Sequence, residues 1–342
     1  MSPAPRELDF RFPPEWALHD ATWMSFPRPD GQSFPGRYDR VLPNLTNVIR
    51  TIARFETVRI NVPDRTWAQK VRDLVGSVDV ETIEIPTNEP WCRDHGPAFV
   101  VDDEGELAVA NWRYNAWGGK YPPWEDDDAV PKRIAEHLGL RLFEPGIVME
   151  GGAVDFDGRG SILTTRDCLL NPNRNGNLNI YDVEGYLLDF YGQERVHWLT
   201  GGIAGDDTDG HVDDLARFID PNTIVVGVED NPSDVNHAAT TSAYEQCRQL
   251  GYDVVQLPMP GPVEIEGERM PATYVNFSFV NGGLVVPTYG HDNDDRCLAI
   301  LRERLPGREV VGVDCSELIW GLGAVHCLTQ QQPRPESWKE QA

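Results

Sequence analysis

A unit of helix, short β-rich run and hairpin recurs along this chain, and that recurrence constrains the fold more than any single motif. Five amphipathic stretches read as helices, at 41–55, 130–139, 179–191, 237–250 and 295–305. Each is followed by a short strand-like run, at 57–62, 140–149, 195–199, 253–257 and 309–313. Four hairpins pair apolar runs across turn residues: Ala98–Val101 with Leu107–Ala110, Ala153–Phe156 with Ser161–Leu163, Leu215–Ile219 with Thr223–Val226, and Asn276–Val280 with Leu284–Val286. Their turns fall near residues 104, 158, 221 and 282, about 55–63 residues apart. Modules set round an axis would bring their tips to one pocket, so functional residues should be scattered along the sequence. An α+β domain with chance alternation is the competing reading.

Composition narrows the partners. The 342 residues carry 55 Asp+Glu against 30 Lys+Arg, a formal net charge of -25. Nucleic acid and anionic membrane, which bind through cationic patches, are disfavoured, and a cationic ligand is favoured. A merely solvated acidic surface explains the same excess. Met1 to Phe10 lacks the apolar run of a signal peptide, and no stretch approaches the ~20 apolar residues of a membrane span. The six cysteines (92, 168, 247, 297, 315 and 327) are scattered without a CxxC pair, so a reducing cytoplasm is the expected location.

Four segments combine glycine with ionisable residues beyond what turns require: Trp91–Pro97, Met149–Gly152, Gly205–Asp214 and Gly321–Pro333. Cys327 reads as part of an extended run, whose alternation turns His326 to the opposite face. A base for Cys327 is then sought elsewhere, and His211 is the candidate, with Asp213 on its own face by the same alternation. A lone cysteine is more often structural than nucleophilic, so that reading stands beside the catalytic one. Asp94, Glu150 and Asp213 are wrong in sign for activating a thiol, unless the substrate brings the positive charge. A guanidinium meets that need, since it pairs bidentately with carboxylates and stacks on an indole such as Trp91. Attack of sulfur on the guanidinium carbon follows. A metal held by Asp206, Asp207, Asp209, His211 and Asp213 competes with this. However, the calcium-loop register puts Gly205 and Ala216 where carboxylates are required, and no metal is expected in the site. The string Asn111–Tyr121 reads as pocket wall or lid, and Trp124–Asp128 as a solvated helix N-terminus.

Seven strings, WCRDHGP at 91–97, NWRYNAWGGKY at 111–121, MEGG at 149–152, CLLNPNRN at 168–175, GDDTDGHVD at 205–213, YVNFSFVNGGLVVP at 274–287 and HCLTQQQP at 326–333, resemble the agmatine deiminases of the Porphyromonas-type peptidylarginine deiminase superfamily. The resemblance runs from about residue 14 to 333. It implies an α/β fold of five modules, the pentein propeller, with a pseudo-fivefold repeat round a central active-site pocket. It implies one catalytic domain over 14–333, flanked by an N-terminal extension (1–13) and a C-terminal tail (334–342). The implied reaction is hydrolysis of agmatine to N-carbamoylputrescine and ammonia through a covalent thiouronium, with no cofactor. Cys327 would be the nucleophile, His211 the general acid/base, Asp94 and Asp213 the guanidinium acceptors and Glu150 the orienting carboxylate. Trp91, Trp117 and Gly118 would line the substrate site. A homodimer is common among relatives. Arginine, peptidylarginine or another guanidine as substrate, and a non-catalytic binder of cations, are the alternatives. This sequence departs from the family at Gly321-Leu-Gly-Ala324, where a glycine-rich run ending in Asn is usual, at Arg166, where Glu is common, and in a shortened 258–272.

Overall fold

The computed structural model describes residues 3–335, so residues 1–2 of the expected extension and 336–342 of the expected tail lie outside the described residues. Four three-stranded sheets share one connectivity. Ala98–Val101 pairs antiparallel with Leu107–Ala110, which pairs parallel with Arg141–Phe143. The same order recurs for Val154–Phe156, Ser161–Thr165 and Arg195–Leu199. It recurs again for Ala216–Asp220, Thr223–Val228 and Asp253–Pro258, and for Ser278–Val280, Gly283–Thr288 and Glu309–Asp314. The fifth sheet is assembled from distant parts of the chain: Thr329–Pro333 pairs antiparallel with His19–Ser25, which pairs parallel with Thr57–Val62.

In each of these five sheets a helix bridges the two parallel strands, as a parallel crossover requires. These helices are Tyr38–Ile52, Val130–Leu138, Ile180–Tyr191, His237–Gln249 and Asn293–Arg304. The first buries Val41, Leu45, Val48, Ile49 and Ile52, a stripe at helical spacing. Ile180–Tyr191 is delimited chemically. The Asn179 side chain accepts from the amides of Tyr181 and Asp182, Asp182 reaches back to the Asn179 amide, and Gly192 ends the helix at φ +63°.

All four hairpins and all five helices expected from the sequence are present, with ends moved by up to three residues. The strand expected over 140–149 is only Arg141–Phe143, after which Val148 makes an isolated bridge to Arg113. Outside the expected pattern lie, among other short elements, a helix over Arg65–Val75, capped by Asp64, a fourth strand, Glu81–Glu84, on the terminal sheet, and a separate two-stranded ribbon pairing Glu264–Ile265 with Glu268–Arg269. The stretch before residue 14 is packed, with Phe10 and Phe12 buried among Phe143, Phe156 and Tyr191. The run 124–128 forms a short helix, Glu125–Asp128. It is solvated only in part, because Asp127 is fully buried and accepts from the amides of Asn88 and Glu89. Among the described residues no helix is long and apolar enough to cross a membrane, and all six cysteines are free and buried.

Candidate active site

Each sheet is entered through a short turn, and each turn delivers one or two polar side chains. The helical turn Cys92–His95 carries Asp94 into Ala98–Val101. Glu150 precedes the turn Gly151–Ala153, which leads into Val154–Phe156. His211 precedes Val212–Asp214, which carries Asp213 into Ala216–Asp220. Asn276 stands two residues before Ser278–Val280, and Cys327 lies in the turn Val325–Leu328 before Thr329–Pro333. Three of these contacts run in succession: Val325–Leu328 packs on Cys92–His95, Cys92–His95 on Gly151–Ala153, and Gly151–Ala153 on Val212–Asp214. Residues over 230 positions apart are thereby gathered.

The imidazole of His211 is the hub. Its Nδ1 lies 3.6 Å from Asp94 Oδ1 and 3.9 Å from Asp213 Oδ1, and its Nε2 lies 3.5 Å from Glu150 Oε2. Neither ring nitrogen has a hydrogen-bond partner, although the residue is 1 % exposed. Burial alone would lower its pKa, yet Asp94 foremost, with Cys168 and Glu150, holds it well above the usual histidine range. Glu150 is anchored by Arg174, whose Nε donates to Oε1 at 2.7 Å, and the Cys168 thiol lies 3.7 Å from Oε2. Against its burial, His211 and Arg174 keep the Glu150 carboxyl below the ordinary range.

Of the other two carboxylates, Asp94 borders a cavity, whereas Asp213 is fully buried and is not among its lining residues. Asp94 accepts from Trp117 Nε1 and from the Gly152 amide, both at 2.9 Å, and both donors are neutral. Burial therefore raises its pKa despite His211. Asp213 Oδ2 takes His326 Nδ1 at 2.6 Å, while its Oδ1 is buried without a partner. Cys327 Sγ sits 3.9 Å from Asp213 Oδ2 and accepts from Asn276 Nδ2 at 3.1 Å. Burial, reinforced by Asp213, Asp214 and Asp94, pushes this thiol well above its ordinary value. Unaided, the sulfur stays protonated.

Asp94 and Cys327 line a cavity of about 520 Å³, together with Trp91, Trp117, Tyr121, Trp320 and Leu322. Trp91 is fixed by its Nε1 bond to Ser33 and by Phe34, 5.8 Å away between ring centroids. Trp117 reaches Asp94 because it adopts the left-handed conformation (φ 55°). Gly118 follows at φ 90°, where a side chain would collide with Asn173 2.4 Å away; it shapes the segment and is not among the cavity's lining residues. Leu322, within the unusual Gly321–Ala324 run, is also left-handed (φ 67°).

Two expectations of local conformation are corrected. Cys327 belongs to a helical turn, not an extended run, and His211 caps a 3-10 turn that contains Asp213, so alternation does not set their directions. His326 is nevertheless turned from the sulfur, because its ring is engaged by Asp213 and Glu15. The acids of the metal reading are largely committed to protein donors. Asp206 accepts from Thr208 and the Gly210 amide, and Asp207 and Asp209 pair with Lys120. Glu150, Cys168 and His211 place ligand atoms within 4.8 Å of one another, as do Asp213, Asp214 and Cys327. Sequence reasoning assigned no role to Asn276, Arg174, Cys168 or Glu15. Asn276, Arg174 and Cys168 did lie in quoted strings, and a polar residue within the apolar run Tyr274–Val280 was the available signal for Asn276.

Residues 11–333 match the Porphyromonas-type peptidyl-arginine deiminase family. The agmatine deiminase of Pseudomonas syringae pv. tomato is 34% identical over 365 residues, covering 98% of both chains. The solved agmatine deiminase of Enterococcus faecalis superposes with a TM-score of 0.91 at 32% identity, covering 98% of this chain and 99% of that one. A cysteine-to-serine variant of the C. jejuni agmatine deiminase with substrate bound gives 0.89 at 31%, covering 94% and 96%. Two distant chains of the pentein fold, a dimethylarginine dimethylaminohydrolase (13% identity, TM-score 0.52) and a cyanobacterial arginine dihydrolase (15%, 0.53), share the α/β architecture alone. The chain belongs to the Porphyromonas-type peptidyl-arginine deiminase family.

Proposed function

We propose that this protein is an agmatine deiminase, converting agmatine and water to N-carbamoylputrescine and ammonia through a covalent bond to Cys327. One observation carries the reading. Asp94, whose fixed donors are neutral, and the unpartnered Oδ1 of Asp213 await N–H donors beside a buried thiol that needs a cation. A guanidinium supplies both, because it is planar, permanently charged and rich in N–H groups. Trp91 and Trp117 offer aromatic faces to it in the cavity.

The chemistry runs in two halves. Substrate charge lowers the cost of ionising Cys327, whose proton leaves to solvent, and the thiolate forms a C–S bond to the guanidinium carbon. His211, held protonated, gives its proton to the departing nitrogen, and the C–N bond breaks to release ammonia. The neutral imidazole, oriented by Glu150, then takes a proton from water as its oxygen attacks. The C–S bond breaks, leaving the ureido product and the thiolate. No step calls on a metal or cofactor.

Agmatine is favoured over free arginine by the cavity rim, where Asp206, Asp207 and Glu268 outnumber Arg269 and oppose an α-carboxylate. The relatives' printed names point the same way. The five sheets, each entered by a turn bearing site residues, are read as modules of one catalytic propeller over 14–333. A free-thiol nucleophile suits a reducing compartment such as the cytoplasm. The test is ammonia release by the purified protein from agmatine, arginine and a peptidyl arginine. Agmatine should show the highest kcat/KM, and Cys327→Ala should lower kcat at least about 10³-fold. Comparable turnover by Cys327→Ala, or full loss of activity on chelation, would sink the thiol mechanism.

A further inference from the structure

Behind the cavity, a second histidine bridges two carboxylates, and one of them comes from the opposite end of the sequence. His326 Nδ1 is 2.6 Å from Asp213 Oδ2, and its Nε2 is 2.8 Å from Glu15 Oε2, across 311 positions of chain. A neutral imidazole has one N–H, so facing an ionised oxygen on both sides requires both nitrogens to carry hydrogen. Glu15 is fixed in turn. Its Oε2 takes Arg217 Nη2 and lies 3.8 Å from Arg93, while its Oε1 takes the Phe279 amide at 2.8 Å and Ser278 Oγ at 3.3 Å. Arg217 is braced on its far side by Asp155. Glu15, His326 and Asp213 are 6 %, 1 % and 0 % exposed, and none of the three is among the lining residues of the substrate cavity.

We infer that Glu15 and His326 are positioning residues for the reaction: through His326, Glu15 fixes the Asp213 carboxylate with Oδ2 occupied and Oδ1 presented to the guanidinium. The inference rests on reading Asp213 as a guanidinium acceptor. A carboxylate that turned about its Cβ–Cγ bond would present the wrong oxygen. One that protonated would lose its attraction for the substrate, and burial pushes it toward protonation. His326 opposes both changes. The groups that act on Asp213 are His326, His211 and Arg217 on the cationic side and Asp94, Asp214 and Cys327 on the other, with Arg93 beyond. His326 faces Asp213 and Glu15, and Glu15 faces Arg217, Arg93 and, through its carbonyl, His19. Of the cations around Asp213, His326 is the one in direct hydrogen-bond contact with it.

The sign of the pH effect separates positioning from mere packing. Without the His326 cation, Asp213 takes up its proton at higher pH, so the acid limb of kcat/KM moves upward. Without the Glu15 carboxylate, His326 loses the bond at its Nε2 and holds Asp213 less firmly, so agmatine binding weakens. A packing defect would reduce the folded fraction or the amplitude and leave the acid limb in place.

The experiment uses three variants of the full chain, His326→Ala, His326→Gln and the isosteric Glu15→Gln. Each is assayed for kcat/KM with agmatine from pH 5 to 10, and each is repeated on a Cys327→Ala background for agmatine affinity by calorimetry. His326→Ala should lower kcat/KM at least about 10²-fold, because Asp213 loses a charge-assisted bond and its orientation. His326→Gln should recover about tenfold, since its amide can still donate to Asp213, with the acid limb shifted upward. Glu15→Gln should keep the thermal midpoint near that of the parent while weakening agmatine binding. An unmoved acid limb in His326→Gln, agmatine affinity unchanged in Glu15→Gln, or activity within twofold of the parent for His326→Ala would overturn the inference. Misfolding of His326→Ala leaves the two Gln variants to decide. If the parent protein turns over no guanidine yet its agmatine affinity depends on His326, the functional reading fails and the positioning role stands.

Discussion

Gly152 shows how little room the reacting groups leave. A Cβ at that position would lie 2.6 Å from His211 Nδ1, 2.8 Å from Asp94 Oδ1 and 2.9 Å from Asp213 Oδ2, all below van der Waals contact. Its amide also donates to Asp94. Gly152→Ala should therefore displace the imidazole and lower kcat about 10²-fold, with a stability loss of about 1–3 kcal/mol. Steady-state kinetics beside a thermal melt separate the two, and an unchanged kcat would show that the ring tolerates displacement. Cys327 gives a second expectation. Its thiol is raised by burial and by Asp213, Asp214 and Asp94, so the free protein should be alkylated slowly at neutral pH. The iodoacetamide rate at this residue should still be climbing beyond about pH 9, past the ordinary thiol value. A plateau below pH 7 would mean that the thiolate forms without substrate. Reading the carboxylates as wrong in sign for the sulfur was possible from sequence, because charge sign needs no coordinates. Glu15 was not legible in that way. Nothing in its neighbourhood, Pro14-Glu15-Trp16, indicates that a salt bridge to Arg217 and a bond to His326 await it.

At the scale of elements, the lead-in turns matter more than the strands they feed. Hairpins and amphipathic helices were readable because turn residues and apolar spacing act locally. The turns were not, because Cys327 sits in, and His211 caps, a single helical turn too short to have a period. The helix Arg65–Val75 was legible though unread: Ala68, Val71 and Val75 stand at helical spacing behind the Asp64 cap, with Trp67 and Leu74 on the same face. The segment Asn115–Gly119 is the element whose conformation most directly serves the site. Asn115 Oδ1 caps the Gly118 amide, Asn115 Nδ2 donates to the Asn173 carbonyl, and Trp117 is thereby aimed at Asp94. Trp117→Phe removes the indole donor and should cost about 1 kcal/mol of substrate affinity, read as a roughly fivefold rise in Kd or KM. A KM equal to the parent's would mean that Asp94 needs no such bond. In the first crossover helix, Leu45 is 1 % exposed and belongs to the largest apolar cluster. Leu45→Ala should lower unfolding free energy by about 3 kcal/mol without altering KM for the folded fraction, as denaturant titration would report.

For the whole molecule, the net charge of -25 acts beyond the few carboxylates of the site. Agmatine is a dication, and an acidic field around an acidic rim raises its local concentration. kcat/KM for agmatine should fall between 20 mM and 500 mM salt, while kcat stays level, because screening acts on encounter and not on the enclosed chemistry. A flat kcat/KM would assign the acidic excess to solvation alone. The sequence showed the repeat as four hairpins and could not show the fifth, whose strands lie at opposite ends of the chain. That fifth sheet has a consequence for the protein's birth. During synthesis His19–Ser25 emerges some 300 residues ahead of Thr329–Pro333, its antiparallel partner, so it must wait with one edge open until nearly all the chain has been made. Cys327 lies just before that late strand. Cys327 therefore joins Asp94, Glu150 and Asp213 only once nearly the whole chain has been synthesised, and on the ribosome the three carboxylates are made long before the sulfur they surround.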